Sequence, residues 1–421
     1  MTGNQKGPQS KVFPQVQLSD IEAARDFLAG SITRTPVRKC PPSFQVPGTE
    51  LYFKNENQQL TGSFKIRGAL NKMNSLTHEE KSHGVVASSA GNHAQGVAYA
   101  AQVMGVSAHI VMPVTAPIVK VNATKSYGAN VILSGEFYDE AYAKALELEK
   151  EKGFTFVHPF QDPFVIAGQG TIGLELFEDL PNLDSVVVPI GGGGLISGIA
   201  TALKALKPTI KVIGVVSDQA PGMMHFFKKG SASIAPPVPA KRRIATIAEG
   251  IAVKNPSSLM YDQYISKLVD EIVAVDDNEI AQAMVFLLEK AKTVTEGSGA
   301  AGLAAVMSRE LDLGKKSCVI LCGGNIDLNV MAKVIERGLR QEHRLARMAL
   351  VVDDLPGNLN RITNVMAEKR ANILEVYHDR VSPELGLRET RIDLLVETSS
   401  DEHIREIEAA LRGQGFKILS R

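Results

Sequence analysis

The stretch Ser185-Val-Val-Val-Pro-Ile-Gly-Gly-Gly-Gly-Leu195 decides the fold class of this chain. Residues 185–190 form an apolar run with three consecutive valines, which is typical of a strand buried on both faces of a parallel sheet. The apolar stretch Leu195–Leu206 behind the glycines predicts a helix that ends before Pro208. Because the glycines lie between a buried strand and a helix, the segment predicts one step of an alternating α/β fold.

The same alternation continues on both sides of this segment. Further strands are predicted at Val85–Ala87, Ala108–Met112, Asn130–Leu133, Val212–Ser217 and Ser317–Leu321, and further helices at Gly91–Met104 and Lys120–Tyr127. Strands that alternate with helices of this length indicate βαβ units and a mostly parallel sheet. We therefore expect residues 19–335 to form one α/β body with two lobes.

The character of the sequence changes near residue 336. Residues 336–347 (ERGLRQEHRLAR) are highly charged and predict a linker helix, with the linker itself at 336–345. Residues 346–421 give the order βαββαβ, which is that of a ferredoxin-like unit. Its predicted strands are Met348–Asp353, Asn372–His378, Glu389–Glu397 and Phe416–Leu419, and its predicted helices are Leu359–Lys369 and Glu402–Leu411.

Composition limits the possible functions. The chain has 421 residues with 46 basic and 46 acidic side chains, so the zero net charge argues against a nucleic-acid partner. The three cysteines form no C-x-x-C pair, which suits a reducing cytoplasm and disfavours a structural zinc site. No apolar run approaches 18 residues, so we expect no membrane span. Residues 1–18 are predicted to be a disordered tail.

Two polar segments lie among small residues. In Thr61–Ala69 (TGSFKIRGA), partial burial would lower the pKa of Lys65 and let its amine form a Schiff base with an aldehyde. A lysine that extends its stem over apolar surface is the alternative. In Ser88–Gly96 (SSAGNHAQG), small residues after a strand would let backbone N–H groups bind a carboxylate, and Asn92 could reach a ring hydroxyl. An ordinary helix cap would explain only one of these residues.

Gly191–Gly194 predict a phosphate site. Four consecutive glycines have no packing role in a core, but at the start of a helix they would present N–H groups to a phosphate. The dinucleotide pattern G-x-G-x-x-G fails, since it ends on Ile196 or Ser197. A nicotinamide-dependent dehydrogenase is therefore disfavoured. A further glycine pair follows Cys322, whose thiol could contact a ligand ring or lie in the core.

These segments resemble the threonine dehydratase (threonine ammonia-lyase) family of fold-type-II pyridoxal-phosphate (PLP) enzymes. The resemblance spans about residues 19–335 and implies a two-lobed body like that of tryptophan synthase β. The stretches that carry it are Gly62–Gly68 (GSFKIRG), Ser89–Gly96 (SAGNHAQG), Gly191–Gly194 and Cys322–Asn325 (CGGN).

The resemblance implies roles for individual residues. Lys65 would bind PLP covalently and act in catalysis, Asn92 would hydrogen-bond the ring hydroxyl, and Cys322 would lie beside the pyridine nitrogen. Many family members have Ser at the position of Cys322, so the role of the thiol stays open. The backbone amides of the phosphate site would be those of Gly191, Gly192, Gly193, Gly194 and Leu195. The substrate would contact Ser89, Ala90, Gly91, Asn92 and His93.

The implied reaction is the deamination of L-threonine to 2-oxobutanoate and ammonia, with no metal assigned. The C-terminal unit, with Asp354–Leu359 (DLPGNL) after its first strand, resembles an ACT-like amino-acid-binding domain. The implied role is the first step of isoleucine biosynthesis, with L-isoleucine as feedback inhibitor and L-valine as a possible antagonist. A homotetramer is implied as well.

Several alternatives stay open at this point. A catabolic serine/threonine dehydratase or a serine racemase-like enzyme would use the same cofactor. Similar serine racemases carry an acid/base Ser at the position of Ala90, so alanine there favours elimination. A non-catalytic amino-acid sensor is a further alternative, as is a purely structural dimerisation role for residues 346–421.

Overall fold

The computed structural model describes residues 14–232, 244–381 and 385–420. The chain divides into two compact units, the first ending at Asp327 and the second beginning at Leu328. Residues 1–13 of the predicted tail lie outside the described part of the chain. The end of that tail prediction is corrected, because Val16 is buried and its N–H donates to the Tyr264 hydroxyl at 2.9 Å. Among the described residues, no helix is both long and apolar enough to cross a membrane.

The helices of the first unit alternate with its strands along most of the chain. They are α1 (Leu18–Leu28), α2 (Lys65–Asn74), α3 (His78–His83), α4 (Asn92–Met104), α5 (Ile118–Ser126), α6 (Tyr138–Lys152), α7 (Pro163–Asp179), α8 (Gly194–Leu206), α9 (Gly222–Lys229), α10 (Ser258–Met260), α11 (Ser266–Leu268), α12 (Asp277–Glu289) and α13 (Gly297–Ser308). A π-helical turn, Tyr261–Ile265, joins α10 to α11.

The first unit contains two sheets. Its strands are β1 (Val37–Lys39), β2 (Glu50–Lys54), β3 (Val85–Ser88), β4 (Ala108–Met112), β5 (Asn130–Leu133), β6 (Thr155–Phe156), β7 (Ser185–Pro189), β8 (Lys211–Ser217), β9 (Glu271–Val275) and β10 (Lys316–Ile320). The larger sheet has the order β1-β2-β10-β7-β8-β9 and the smaller one β5-β4-β3-β6. Apart from the antiparallel β1–β2 pair, neighbouring strands are parallel, which confirms the α/β class.

The second unit has the predicted βαββαβ order. Its elements are α14 (Leu328–Gln341), β11 (Leu345–Asp353), α15 (Asn358–Glu368), β12 (Asn372–Asp379), β13 (Glu389–Glu397), α16 (Asp401–Gly413) and β14 (Lys417–Ser420). The antiparallel sheet has the order β12-β13-β11-β14, which is ferredoxin-like. Residues 336–341, expected in a linker, belong to α14, because its apolar residues Met331 and Val334 are buried. The predicted domain limits at 335 and 346 stay predictions.

Helix α7 is central to the first unit, and its sequence explains where it begins. Asp162 precedes it, and the Asp162 carboxylate accepts hydrogen bonds from the N–H groups of Phe164 and Val165. Pro163 occupies the first helical position, where its missing N–H costs nothing. The helix therefore starts abruptly at Pro163 and is buried over most of its length.

Glycines bring α7 into close contact with α2 and with α8. A Cβ atom on Gly168 of α7 would lie 2.5 Å from the carbonyl oxygen of Arg67 in α2. A Cβ atom on Gly198 of α8 would lie 2.6 Å from the nitrogen of Gly170 in α7. Only glycine fits at such distances, so the backbones themselves are in contact. Since α2 begins at Lys65 and α8 at Gly194, both helix starts are fixed relative to α7.

A buried ion-pair network ties α2 to the same helix. The guanidinium of Arg67 donates to Glu56 at 2.9 and 2.8 Å and to Glu175 of α7 at 2.6 and 3.0 Å. The Lys54 amine lies 2.6 Å from Glu175. Breaking a buried pair by removing one partner typically costs about 3–5 kcal/mol. The network therefore holds α2, α7 and the residues after β2 together.

We expect Gly168→Ala to lower the free energy of unfolding by about 1–3 kcal/mol, the usual cost of overpacking a core. The new methyl group must displace the carbonyl of Arg67, which belongs to the backbone and cannot rotate away. Urea and thermal unfolding of the variant measure the effect.

The matched control is Gly413→Ala, the same change at the last residue of α16. A Cβ atom there meets no atom within 4 Å. Since alanine favours a helix by up to about 1 kcal/mol over glycine, this variant should be as stable as the original or more so. Equal stability of Gly168→Ala and the unchanged protein would contradict the close contact between α2 and α7.

Candidate active site

A cavity of about 1330 Å³ in the first unit brings the four predicted segments together. Its walls include Lys65 at the start of α2, Ser89–His93 at the start of α4, Gly191–Leu195 before and within α8, and Cys322 after β10. Every site residue predicted from the sequence therefore lies around one space. The helix starts and strand ends that meet here are the usual place for ligands in α/β folds.

The Lys65 amine lies inside this cavity rather than on the surface. Lys65 is half-buried, and its Nζ donates to the Pro159 carbonyl oxygen at 2.9 Å. Loss of hydration lowers the pKa of the Lys65 amine to about 8, since burial disfavours the charged form. At pH 7 about a tenth of the amine is then neutral, far more than for an ordinary lysine, and neutral amines condense with aldehydes.

The start of α4 offers N–H groups to a ligand. Within the part of the chain that the structure describes, the backbone N–H groups of Ala90, Asn92 and His93 have no acceptor. Ser89 stabilises the turn by accepting from the N–H of Gly91 at 3.2 Å. Unpaired N–H groups at a helix N-terminus attract an anion such as a carboxylate.

The ring of His93 has a different position from that expected of a substrate ligand. Its Nε2 lies 2.8 Å from the Val157 carbonyl oxygen, with which it hydrogen-bonds. Burial lowers the pKa of the His93 imidazole to about 3, with a further contribution from the positive charge of Lys65. The ring is therefore neutral, and its Nε2–H is already used within the protein.

The start of α8 forms a second cradle of N–H groups. No described residue accepts from the backbone N–H groups of Gly191–Leu195. Gly193 has φ of +97°, a backbone conformation that residues with a side chain rarely adopt. Together with the Lys65 amine in the same cavity, these amides fit a cofactor that carries both an aldehyde and a phosphate. The residues present therefore fit PLP.

The expectation that the four glycines have no packing role is wrong. A Cβ atom on Gly192 would overlap the ring of Phe160, and one on Gly194 would lie 2.9 Å from the Phe160 Cα. The close approach of the Phe160 segment therefore requires glycine at these positions, in addition to any role in binding a phosphate. Phe160 follows Pro159, so one segment contacts both Lys65 and the glycines.

Asn92 belongs to a hydrogen-bonded chain of side chains. Its Nδ2 donates to Glu296 Oε1 at 2.7 Å, and its Oδ1 accepts from Asn325 Nδ2 at 2.8 Å. Ser298 Oγ donates to the same oxygen of Glu296 at 2.7 Å. Loss of hydration raises the pKa of the Glu296 carboxyl above its usual value.

Cys322 is buried beside this chain. Its Sγ donates to the Ser298 carbonyl oxygen at 3.4 Å, and only 4% of the residue is exposed. Burial raises the pKa of the Cys322 thiol far above its usual value, so it stays protonated at physiological pH. The thiol is therefore both a buried group and a member of the cavity wall.

Sequence reasoning missed Glu296, Ser298, Pro159 and Phe160. Glu296 directly precedes the small-residue helix α13, and a charged residue in such an apolar setting was the available signal. No pattern marks Pro159 or Phe160, because their role depends on contacts made only in the folded chain. The described part of the chain holds no group of three or more His, Cys, Asp or Glu side chains suited to a metal ion.

Comparisons with known proteins agree with this geometry. The family model described as pyridoxal-phosphate dependent enzyme matches residues 28–323. An L-threonine ammonia-lyase of Thermotoga maritima is 47% identical over 403 residues, which cover 96% of this chain and 99% of the relative. A catabolic L-threonine dehydratase of Staphylococcus aureus is 47% identical over 329 residues, covering 77% of this chain and 93% of the relative. The solved structure of maize serine racemase has a TM-score of 0.71 at 36% identity, covering 78% of this chain and all of its own.

The family match spans well over half of the chain and includes Lys65, Ser89–His93, Gly191–Leu195 and Cys322 of the cavity wall. It ends shortly before the second unit begins at Leu328. The cofactor-binding body is thus the first unit, and the chain belongs to the family of pyridoxal-phosphate-dependent enzymes.

Proposed function

We propose that this enzyme is an L-threonine ammonia-lyase, which converts L-threonine to 2-oxobutanoate and ammonia. The observation that carries the proposal is one cavity holding the Lys65 amine and two separate helix N-termini with unpaired N–H groups. The start of α8 would bind the cofactor phosphate, and the start of α4 the substrate carboxylate. The name of the Thermotoga maritima relative supports threonine as the substrate.

PLP, when bound, supplies an electron sink that acidifies the Cα–H bond of the substrate. Lys65 Nζ would hold the cofactor in the resting enzyme and accept the Cα proton during the reaction. Its pKa of about 8 suits a base that works near neutral pH. Asn92 would donate a hydrogen bond to the ring hydroxyl, and the thiol of Cys322 would lie near the ring nitrogen without ionising.

The overall reaction neither gains nor loses water. Loss of the Cα proton and of the β-hydroxyl removes one water and leaves an enamine. Hydrolysis of the corresponding imine takes up one water and frees ammonia, which leaves 2-oxobutanoate. The chain therefore needs a base at Cα and an anion site for the carboxylate, both of which the cavity offers.

Replacing Lys65 tests the assignment of the base. We expect Lys65→Ala to lose the visible absorption of bound PLP and to lower turnover of threonine by at least about 10²–10⁴-fold, the usual contribution of an acid/base group. Absorption spectra and a 2-oxo acid assay measure both effects.

The control is Lys125→Ala in α5, an exposed lysine that does not line the cavity. This variant should keep the absorption band and the turnover. Retention of both by Lys65→Ala as well would refute the assignment.

Elimination is favoured over racemisation because of Ala90. Racemisation needs a proton donor on the face of Cα opposite the base. Ala90 lines the cavity at the position where similar racemases carry serine, and its methyl group holds no exchangeable proton.

We expect L-serine to yield no D-serine with this enzyme, and Ala90→Ser to produce a measurable amount. Chiral chromatography of the products after incubation with L-serine checks both outcomes. Rapid interconversion of L- and D-serine by the unchanged enzyme would favour the racemase alternative. The similar fold of maize serine racemase is the reason to test for it.

We also propose a biosynthetic role with feedback control through an ACT-like second unit. Two observations support it: the ferredoxin-like strand order, and a family match that leaves this unit out. Gly357, with φ of +96°, precedes α15, and no side chain of the described residues caps the start of that helix. An amino-acid carboxylate could bind the N–H groups there. We also propose a homotetramer, which the family resemblance implies, and a cytoplasmic location, which three cysteines without a C-x-x-C pair suit.

A catabolic dehydratase is the second candidate. The Staphylococcus aureus relative bears that name and is 47% identical to this chain. Its match covers 77% of this chain, against 96% for the Thermotoga maritima relative. The two roles differ in whether isoleucine changes the activity.

If the role is biosynthetic, L-isoleucine should raise the threonine concentration for half-saturation by about 5–150-fold, the usual range of allosteric coupling. L-Valine should oppose this shift. Saturation curves of the full chain with and without each amino acid measure the effect.

A chain that ends at Asp327 is the matched variant, since it keeps all residues of the family match. It should turn over threonine without responding to isoleucine. A full-length curve that millimolar isoleucine leaves unchanged would reject the regulatory proposal and favour the catabolic one.

A further inference from the structure

We infer that Glu296 is a positioning residue that fixes the side-chain amide of Asn92, so that one N–H of this amide is kept for the ring hydroxyl of the cofactor. The inference rests on the proposed role of Asn92 toward PLP. It adds a function to a carboxylate that the proposed reaction does not otherwise use.

The orientation of the two amides follows from a single carbonyl. Asn325 Nδ2 lies 2.7 Å from the Thr61 carbonyl oxygen, which can only accept, so this atom of Asn325 must be the nitrogen. The same nitrogen donates to Asn92 at 2.8 Å, so the oxygen of the Asn92 amide faces Asn325. The nitrogen of Asn92 must then face Glu296.

The reversed orientation of Asn92 is unfavourable at both ends. Its oxygen would face the carboxylate oxygen of Glu296, so two acceptors would be in contact. Its nitrogen would face the nitrogen of Asn325, so two donors would be in contact. An amide nitrogen carries two hydrogens, and among the described residues only Glu296 accepts from Asn92 Nδ2. The second N–H of Asn92 therefore remains for a ligand in the cavity.

Glu296 is itself held in place. Its backbone N–H donates to the Gly323 carbonyl oxygen at 3.0 Å, and Ser298 Oγ donates to its Oε1. A Cβ atom on Gly323 would lie 2.5 Å from Glu296 Oε1 and 3.0 Å from Asn92 Nδ2, so a glycine there leaves room for this pair. A side chain at position 323 would therefore displace the carboxylate or the amide from its present position.

The cost of keeping a carboxylate here argues for a role. Glu296 lines the cavity, and loss of hydration disfavours its ionised form. Among the described residues, no lysine or arginine forms an ion pair with it at 4.0 Å or less. Its oxygen Oε1 instead accepts from two neutral donors, Asn92 and Ser298. Burying a carboxylate without a cationic partner costs free energy, so space filling alone does not explain Glu296. A carboxylate is, however, a strong acceptor for an amide N–H and cannot donate to it.

The test compares two substitutions at Glu296 in the PLP-reconstituted full-length enzyme. Glu296→Ala removes the acceptor, so the Asn92 amide can turn its oxygen toward the ring hydroxyl. We expect the Kd for PLP to rise about tenfold or more and the absorption band of the bound cofactor to shift. Glu296→Gln keeps a carbonyl oxygen of the same shape and should stay within about twofold of the original Kd, with an unchanged band.

The matched surface control is Glu178→Gln, a carboxylate of α7 that pairs with Arg34 outside the cavity. It should leave both readouts unchanged. If Glu296→Ala does not fold, Asn325→Ala replaces it, because it removes the donor that orients Asn92 from the other end. This variant is expected to shift the band in the same way.

Two results would overturn the inference. One is a Kd and an absorption band of Glu296→Ala equal to those of the original enzyme. The other is a Glu296→Gln variant as impaired as Glu296→Ala, which would mean that charge and not orientation matters. Neither result depends on threonine turnover, so failure of the substrate assignment would be recognised separately, by an original enzyme that binds PLP without deaminating threonine.

Discussion

The first unit depends on backbone-to-backbone contact between helix α7 and its two neighbours, α2 and α8. Gly168 lets α2 approach on one side, and Gly198 lets α8 approach on the other. Since Lys65 begins α2 and Gly191–Gly194 lead into α8, the positions of the Lys65 amine and of the proposed phosphate site are both fixed relative to α7. The ion pairs of Arg67 with Glu56 and Glu175 fix α2 further, two residues from the lysine. The distance between the start of α2 and the start of α8 is thus set by contacts between main chains. Rotation of side chains cannot change it.

Most of the groups proposed to bind and react in the cavity are uncharged or only partly charged. In the proposed assignment, two helix starts offer N–H groups to two anions, the half-buried Lys65 acts as nucleophile and base, and the neutral imidazole of His93 and the thiol of Cys322 line the same cavity. Burial lowers the pKa of Lys65 and raises that of Cys322, so both stay uncharged more readily. Electrostatic preorganisation by fixed dipoles needs no rearrangement during the reaction.

Much of this architecture could be predicted from the sequence, for physical reasons. Strands β4, β5 and β13 have the predicted bounds. For β4 and β13 the reason is that a buried strand is an uninterrupted or alternating apolar run, whereas β5 is a short apolar run without buried residues. Gly191–Gly194 were correctly placed after a strand, yet their contact with Phe160 was not foreseen. Glu296 was missed, because its partner Asn92 lies 204 positions away and no local pattern joins them. Local sequence indicates the helices and strands. The hydrogen bonds between buried polar side chains depend on which distant segments come together in the fold.

The place of β10 in the larger sheet has a consequence for how the enzyme matures. This strand is the last of the first unit in the chain, yet it lies in the interior of the sheet between β2 and β7. Directly behind it, Gly323 bridges to Ser63, and the Phe64 N–H donates to Cys322. The residue before Lys65 is therefore anchored only when the end of the unit has emerged from the ribosome and inserted. The proposed cofactor site at Lys65 is thus completed by the last strand of the unit to be synthesised.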